Sequence, residues 1–494
     1  MLDPENPVWL RFVSTDSRLE SKALVELNPK TLWGRRNNVF YGWWIVVVSA
    51  IIDALKHGTF NRGFTLYVLP LRQELGIGVA AISVADMLGR MVAGILGPLA
   101  GYATDRLGAK TMLIFGGVAS GVGFILLTLT KSYGYFLLVF VGLLSLGFRA
   151  GYNNATVPAL NQWFRRRRSL AMSTASTGTG LGGFLVTPLM GLLVLTVGWR
   201  TAAMVSGIGI IIIVVPLALL VRRTPESMGL LPDGDPPPDA VVAGQTESGL
   251  LGGRGRETHD ASRVAAPLRQ MARDPDFTAK EALSTVSFWL VVLAVGLRNT
   301  VHSGMSFLLA PVMVWFLEGE IARGEVGLSS AALAALFIGG LSLGTMIFNP
   351  VVGWMGDKWS KEKLSSVAMA TGVVALLSIL NQSGHIWQLA IFVVLLAFSE
   401  SANPLAWAIM GDYFGRRSYA TLRGWQHLPD QMMSMSTPVW MGWIFDHNES
   451  GYFWALIPLA VIYGLAAACY LIIPLPRPPA RLRRRRSGQA LGSA

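Results

Sequence analysis

The amino-acid sequence predicts an all-α membrane protein of twelve transmembrane helices in two pseudo-symmetric six-helix bundles. Three observations carry that expectation: an apolar composition, long uninterrupted apolar stretches, and an internal repeat. Hydrophobic residues make up 52% and charged residues 14% of the 494, whereas ordinary soluble domains carry roughly 25% charge. A bilayer core of about 30 Å needs about 20 apolar residues per spanning helix. A spanning β-barrel would show short alternating strands instead, and the stretches here are long and continuous.

Spans are expected near 43–70, 80–103, 111–130, 133–160, 169–195 and 200–221, then near 283–316, 329–355, 364–382, 386–411, 418–445 and 451–474. They divide the chain into a segment at 1–40, a first bundle at 41–222, a linker at 223–282, a second bundle at 283–475 and a basic tail at 476–494. The linker includes Pro236-Pro237-Pro238 and Gly252-Gly253-Arg254-Gly255, a composition that builds no core and reads as a flexible connection. The first apolar stretch is too long for a cleaved secretory signal and reads as retained.

The net charge of +12 would suggest nucleic acid in a soluble protein. Here the cations gather in alternate loops: Arg35-Arg36, Arg106/Lys110, Arg165 to Arg168, Arg222-Arg223, Lys358/Lys361/Lys363, Arg416-Arg417 and Arg483 to Arg486. The opposite side holds Arg72, Lys131, Arg200 and Arg323. The positive-inside rule then places both termini and the linker in the cytoplasm of a multi-pass protein of the cell (inner) membrane. The lipid bilayer is the expected partner and nucleic acid is not. Trp43, Trp44, Trp163 and Trp199 fit the aromatic belts of membrane interfaces.

The two halves repeat each other. Gly101-Tyr-Ala-Thr-Asp105-Arg106 follows the second span and Gly353-Trp-Met-Gly-Asp357-Lys358 the eighth, with Pro98 and Pro350 at the same offset before them. Trp163-Phe164-Arg165-Arg166 precedes the fifth span and Tyr413-Phe414-Gly415-Arg416-Arg417 the eleventh. A two-fold repeat of six helices places a binding site near the midplane between the halves.

These residues carry a resemblance. Gly101-x-x-x-Asp105-Arg106-x-Gly108-x-Lys110 resembles the loop 2–3 motif of the major facilitator superfamily. Tyr41-Gly42-Trp43-Trp44 is similar to the entry of the first span in its monocarboxylate porter and oxalate:formate antiporter families. Trp163-Phe164-Arg165-Arg166-Arg167-Arg168-Ser169-Leu170-Ala171, followed by Gly178, Gly180 and Gly182, resembles their fifth-span signature. Thr224-Pro225-Glu226-Ser227-Met228-Gly229-Leu230-Leu231-Pro232-Asp233-Gly234 resembles prokaryotic members. The resemblance implies a rocker-switch carrier of small organic anions, often coupled to protons, with Asp105, Arg106 and Asp357 as gating residues. The chain departs from the vertebrate-type porters in the eighth span: aligned on Pro350, their Asp and Arg are Thr345 and Asn349 here. Phe60-Asn61-Arg62 stands where those porters have Phe-Pro-Lys, so Arg62 matches a family cation in charge.

Ionisable side chains inside spans cost about 2.5–3.5 kcal/mol each on insertion scales and therefore need a reason. They are Asp53, Lys56, His57, Arg62, Asp86, Arg90, Arg149, Arg298, His302, Glu400, Arg423, His427 and Asp430. With histidine neutral, six cations face four carboxylates, a bias that favours an anion, and arginine presents a planar fork matched to a carboxylate. Asp86 and Arg90, four apart, are expected to pair with each other. Arg62 and Arg298, one from each half and with no carboxylate partner on the same face of their own helix, lead the expected substrate anchors, with Asn349 and Arg423 beside them. Asp53, Glu400 and Asp430 are the candidate proton carriers, with His302, His57 and His427 behind them; Glu400 has no basic neighbour in its own span. The small residues from Ser173 to Gly183 read as close helix packing.

An enzyme is not expected. The chain holds no HExxH or His/Cys metal cluster, so no metal or other cofactor is implied, and no Walker-type loop for ATP; Gly340-Leu341-Ser342-Leu343-Gly344 lies inside the apolar eighth span and makes no GxSxG nucleophile elbow. Its one cysteine, Cys469, excludes a disulfide framework. Carriage or export of a neutral or drug-like solute, and a non-transporting sensor on the same fold, are the alternatives.

Overall fold

The computed structural model describes residues 39–77, 79–152, 154–234, 277–322, 330–381, 385–447 and 452–477. The Pro and Gly runs of the linker, Arg35-Arg36, Arg323 and Arg483 to Arg486 of the tail lie outside these residues.

Twelve helical spans follow one another. The first half holds α1 (Gly42–Val68), α2 (Val79–Ile95 continued by Gly97–Leu107), α3 (Ala109–Leu127), α4 (Tyr133–Trp163), α5 (Arg168–Val197) and α6 (Trp199–Leu220). The second holds α7 (Val286–Ala322), α8 (Ser330–Lys358), α9 (Lys361–Ser378), α10 (Ile386–Phe414), α11 (Tyr419–Ser434 continued by Thr437–His447) and α12 (Phe453–Ile472). Among the described residues, nine helices are long and apolar enough to cross a bilayer alone, and the bent α2 makes a tenth. The remaining two are polar for stated reasons. Helix α9 opens on Lys361-Glu362-Lys363, and α11 carries Arg423, His427 and Asp430.

Helix α2 bends by 52° ahead of Pro98. Proline has no N–H for the preceding turn, and its ring crowds that turn's carbonyl. Wider π turns interrupt α1 at Lys56–Asn61, α4 at Phe140–Tyr152 and α5 at Gly182–Val186. The π turns of α1 and α5 meet, and the Thr187 hydroxyl donates to the Gly58 carbonyl at 3.3 Å. Where Gly178 and Gly182 face Ala50 and Ala54, a side chain would strike the α1 backbone, so the small residues of α5 set how closely these helices pack.

Packing repeats with a shift of six helices. In the first half α1 packs on α5, α2 on α4, α3 on α4 and α6; in the second α7 packs on α11, α8 on α10, α9 on α10 and α12. The halves meet through α5 against α8 and α2 against α11. The linker's described ends are ordered. Residues 225–234 form two short 3-10 turns under the first half, and Ala279–Leu283 is a short helix with a capping box from Thr278 and Glu281.

Trp163 departs from its expected place at a membrane interface. It is fully buried against Phe40 and Tyr41, and its indole N–H donates to the Arg222 carbonyl at 3.1 Å. The short connections on both sides fold over it, which turns an amphipathic belt residue into a core residue of the basic end.

Candidate substrate site between the two halves

The basic loops lie at one end of the bundle, and there the halves are closed. Asp105, at the end of α2, accepts from the backbone N–H of Ala420 (3.1 Å) and Thr421 (2.8 Å) and from the Thr421 hydroxyl (2.6 Å) at the start of α11. Asp357, at the end of α8, accepts from the N–H of Ser169 (2.9 Å) and Leu170 (3.0 Å) at the start of α5. Each carboxylate therefore satisfies free donors in the first turn of a helix from the other half, where the helix dipole also favours negative charge. Gly101 and Gly353 make the approach possible: a Cβ on either would strike the backbone of Ala420 or of Ser169. Arg106 points elsewhere, to Tyr102 of its own helix at 3.1 Å.

Further contacts seal this end. Arg168 is almost fully buried and pairs with Asp412, which also holds Lys361 at 2.8 Å. Gln162 and Arg416 exchange side-chain-to-carbonyl bonds at 2.9 Å in both directions. Asp412 carries no functional motif of its own in the sequence. Its signal is the repeat itself, since Gln162 occupies the matching place before Trp163.

Toward the opposite end the charged residues gather around the interface. On α1, Lys56 and Asp53 form a buried ion pair at 3.2 Å, and His57 Nδ1 lies 3.2 Å from the Asp53 carbonyl. The π turn rotates the residues after it, and Arg62 emerges exposed beside α5 and α8. Its Nη1 donates to the Ser342 hydroxyl of α8 at 3.0 Å, and a Cβ on Gly183 would lie 2.7 Å from that nitrogen. No carboxylate pairs with Arg62 among the described residues.

Arg298 is different from its expected state as an unpaired cation. It forms an ion pair with Glu400 of α10, and Glu400 also takes His302 at 2.7 Å and the Tyr463 hydroxyl of α12 at 3.1 Å. Packing of α7 against α10 and α12 supplies the partner that neither helix has internally. The Arg298 Nη1 donates to Asn299 at 2.7 Å, and the Asn299 amide donates to Asp430 of α11 at 2.7 Å. His427 sits 3.7 Å from the other Asp430 oxygen. Four of the six candidate proton carriers, Glu400, Asp430, His302 and His427, thus belong to one network on α7, α10 and α11 that Tyr463 of α12 completes. Asp53 lies across the interface with Lys56.

Arg423 lies over the Trp407 ring at 4.3 Å, with Asp53 and Asp430 as its charged neighbours beside Tyr419. Asn349 is buried on α8. Asp86 does more than pair with Arg90 (2.8 Å), since Arg149 of α4 joins it at 2.6 Å and lies 5.4 Å from the Phe60 ring. Asn299, Trp407 and Tyr463 carry no charge and gave no signal in the sequence.

The family model of the Major Facilitator Superfamily matches residues 58–314 and 297–493. The oxalate:formate antiporter of Oxalobacter formigenes is 23% identical over 441 residues, covering 88% of this chain and 86% of that protein. Monocarboxylate transporter 14 of Mus musculus is 22% identical over 487 residues, covering 88% and 90%. Among solved structures, the proton:xylose symporter XylE aligns with a TM-score of 0.62 at 16% identity, over 88% of this chain and 96% of that one. With both halves matched and the repeat-related packing in place, the chain belongs to the Major Facilitator Superfamily and is a multi-pass membrane transporter.

Proposed function

We propose that this chain is a proton-coupled secondary transporter of small organic anions, monocarboxylate-like in size, that works by rocker-switch alternating access in the cell membrane. Both termini and the basic end face the cytoplasm in this reading, so the conformation described here is outward-facing. One observation carries it: Arg62 is exposed at the junction of α1, α5 and α8 with a hydroxyl partner and no carboxylate. A guanidinium left there has donors free for a carboxylate arriving from the open end. The names borne by the antiporter and the monocarboxylate transporter agree with that chemistry.

Coupling is assigned to Glu400. As a carboxylate it holds Arg298 and His302. Protonation removes the charge that fixes them, freeing Arg298 to respond to the anion. Proton and anion would then bind favourably together and leave together. Asp53 and Asp430 flank this centre.

The test is uptake of labelled acetate, lactate and oxalate into proteoliposomes, with and without an inward proton gradient, for the wild type, Arg62→Gln and Glu400→Gln. Wild type should accumulate at least one acid under the gradient, and Arg62→Gln should lower that uptake roughly tenfold or more at concentrations below KM. Glu400→Gln should retain exchange at equal pH but lose accumulation. Folded protein that moves none of the acids refutes the anion reading and returns the neutral-solute and sensor alternatives.

A further inference from the structure

Three polar atoms on one face of α11 are buried without a hydrogen-bond partner: Arg423 Nη1, Gln426 Oε1 and His427 Nε2. Residues at i, i+3 and i+4 share a helix face. The adjoining stripe of α11, through Ala420, Gly424, Leu428 and Gln431, packs on α2. Buried polar groups normally find partners, and each left without one costs about 1–3 kcal/mol. Gln426 is only 5% exposed, so water does not supply the missing bond cheaply. A purely structural face would carry apolar residues here, as most of α12 does.

Depth separates this cluster from Arg62. Arg423 has Asp53 of α1 as a charged neighbour, and Arg62 lies nine residues further along α1 from the basic end, roughly 13 Å at about 1.5 Å per residue. Both helices start at the basic end, which Asp105 and Asp357 hold shut. Arg62 is exposed in this conformation, whereas Gln426 is buried, Arg423 and His427 are partly buried, and the three unpartnered atoms themselves are covered. Arg423 also lacks a carboxylate in ion-pair contact among the described residues, its close partners being the Trp407 ring and the Tyr419 hydroxyl.

We infer that α11 carries a second carboxylate station, made of Arg423, Gln426 and His427, that is used when the basic end opens. This rests on the anion-carrier reading above and extends it: the anion is met by Arg62 at the open face and is passed to Arg423 at the other. Release of the first turn of α11 from Asp105 uncovers the station. The Arg423 fork then binds the carboxylate, His427 Nε2 adds a bond to it or to a neighbouring hydroxyl, and the Gln426 amide takes the remaining polar edge. The Trp407 ring keeps the guanidinium oriented while the station is empty.

The test measures KM separately at the two faces, using proteoliposomes of uniform orientation and whichever of labelled acetate, lactate or oxalate the wild type moves fastest. Loss of a charge-assisted bond at one station should raise KM on that side by roughly tenfold or more. Arg423→Gln should do so at the basic face and leave the other face within about threefold; Arg62→Gln should do the reverse. His427→Gln and Gln426→Leu should each give a smaller rise confined to the basic face, and they decide the question if Arg423→Gln does not fold. Equal changes at both faces, or none at the basic face, overturn the second station and leave a single central site. Wild-type vesicles that move no acid from either face remove the carboxylate reading itself, and the station falls with it.

Discussion

At the basic end, Asp105 of α2 reaches the first turn of α11, and Asp357 of α8 reaches the first turn of α5, so one contact is made once in each direction across the pseudo-two-fold axis. At the membrane centre the corresponding helices α1 and α7 behave differently. Arg62 has a hydroxyl partner and stands exposed, whereas Arg298 is buried in an ion pair with Glu400 that His302 and Tyr463 complete. Closing a gate requires the same work of both halves, which duplication supplies. On the function proposed above, binding a small asymmetric anion together with a proton would require two different surfaces, and it is there that the repeat has diverged.

That contrast predicts opposite behaviour for the two arginines. Removing Arg298 leaves Glu400 charged and buried without its partner, and breaking a buried pair from one side costs about 3–5 kcal/mol. Arg298→Gln should therefore lower the thermal stability of the purified protein sharply. The double variant Arg298→Gln/Glu400→Gln should recover much of the loss, since the stranded charge is gone. Arg62→Gln should melt within a few degrees of the wild type while losing most of its transport at concentrations below KM. A melting temperature that falls equally for both single variants would erase the distinction between a paired, structural cation and one left free.

The duplicated clasps should give nearly matched effects. Asp105→Ala removes three bonds to α11, and Asp357→Ala removes two to α5. With charge-assisted bonds contributing about 1.5–3 kcal/mol net, each variant should favour opening of the basic end by roughly ten- to a hundredfold, Asp105→Ala somewhat more. The readout is alkylation of Ser173→Cys in a Cys469→Ala background, since Ser173 is buried where α5 meets Gly353 of α8. Alkylation that rises for one clasp alone would show that the two are not equivalent in the working cycle.

How much of this was legible beforehand follows from what each interaction depends on. The spans were visible because apolar length is a property of a local window, and the clasp residues because Asp105 and Asp357 recur at one offset. What Asp105 and Asp357 touch was hidden, since α2 meets α11 and α8 meets α5 only after folding. The same limit explains Arg298 and Glu400. Each lacks a partner in its own helix, and the sequence holds no record of which helices become neighbours. Arg149 was visible as a buried charge, yet its bond to Asp86 needed α4 beside α2. In the sequence Asp233 stands out only as part of the segment Thr224 to Gly234. Its carboxylate in fact accepts from the consecutive N–H groups of Arg165, Arg166 and Arg167 at 3.1, 2.8 and 3.3 Å, from a left-handed backbone position at φ 60°.

That last contact extends the comparison to a third element, with the smallest expected effect. The segment after α6 is tied to the first half by Asp233 and to the second by Glu226, which pairs with Arg416 at 2.9 Å. Asp233 binds backbone donors and is almost entirely covered, with its side chain 4% exposed; Glu226 is half open to solvent at 41%. An exposed pair contributes about 0.2–1 kcal/mol and is screened by salt. Glu226→Gln should therefore raise alkylation at Ser173→Cys by no more than about fivefold, and the difference from Glu226 should vanish in high salt. The clasp variants should keep their effect there, because their carboxylates bond directly to helix N-terminal N–H groups. A Glu226→Gln effect as large as that of Asp105→Ala, and insensitive to salt, would make this strap a third gate rather than a weak tie across the two that the repeat provides.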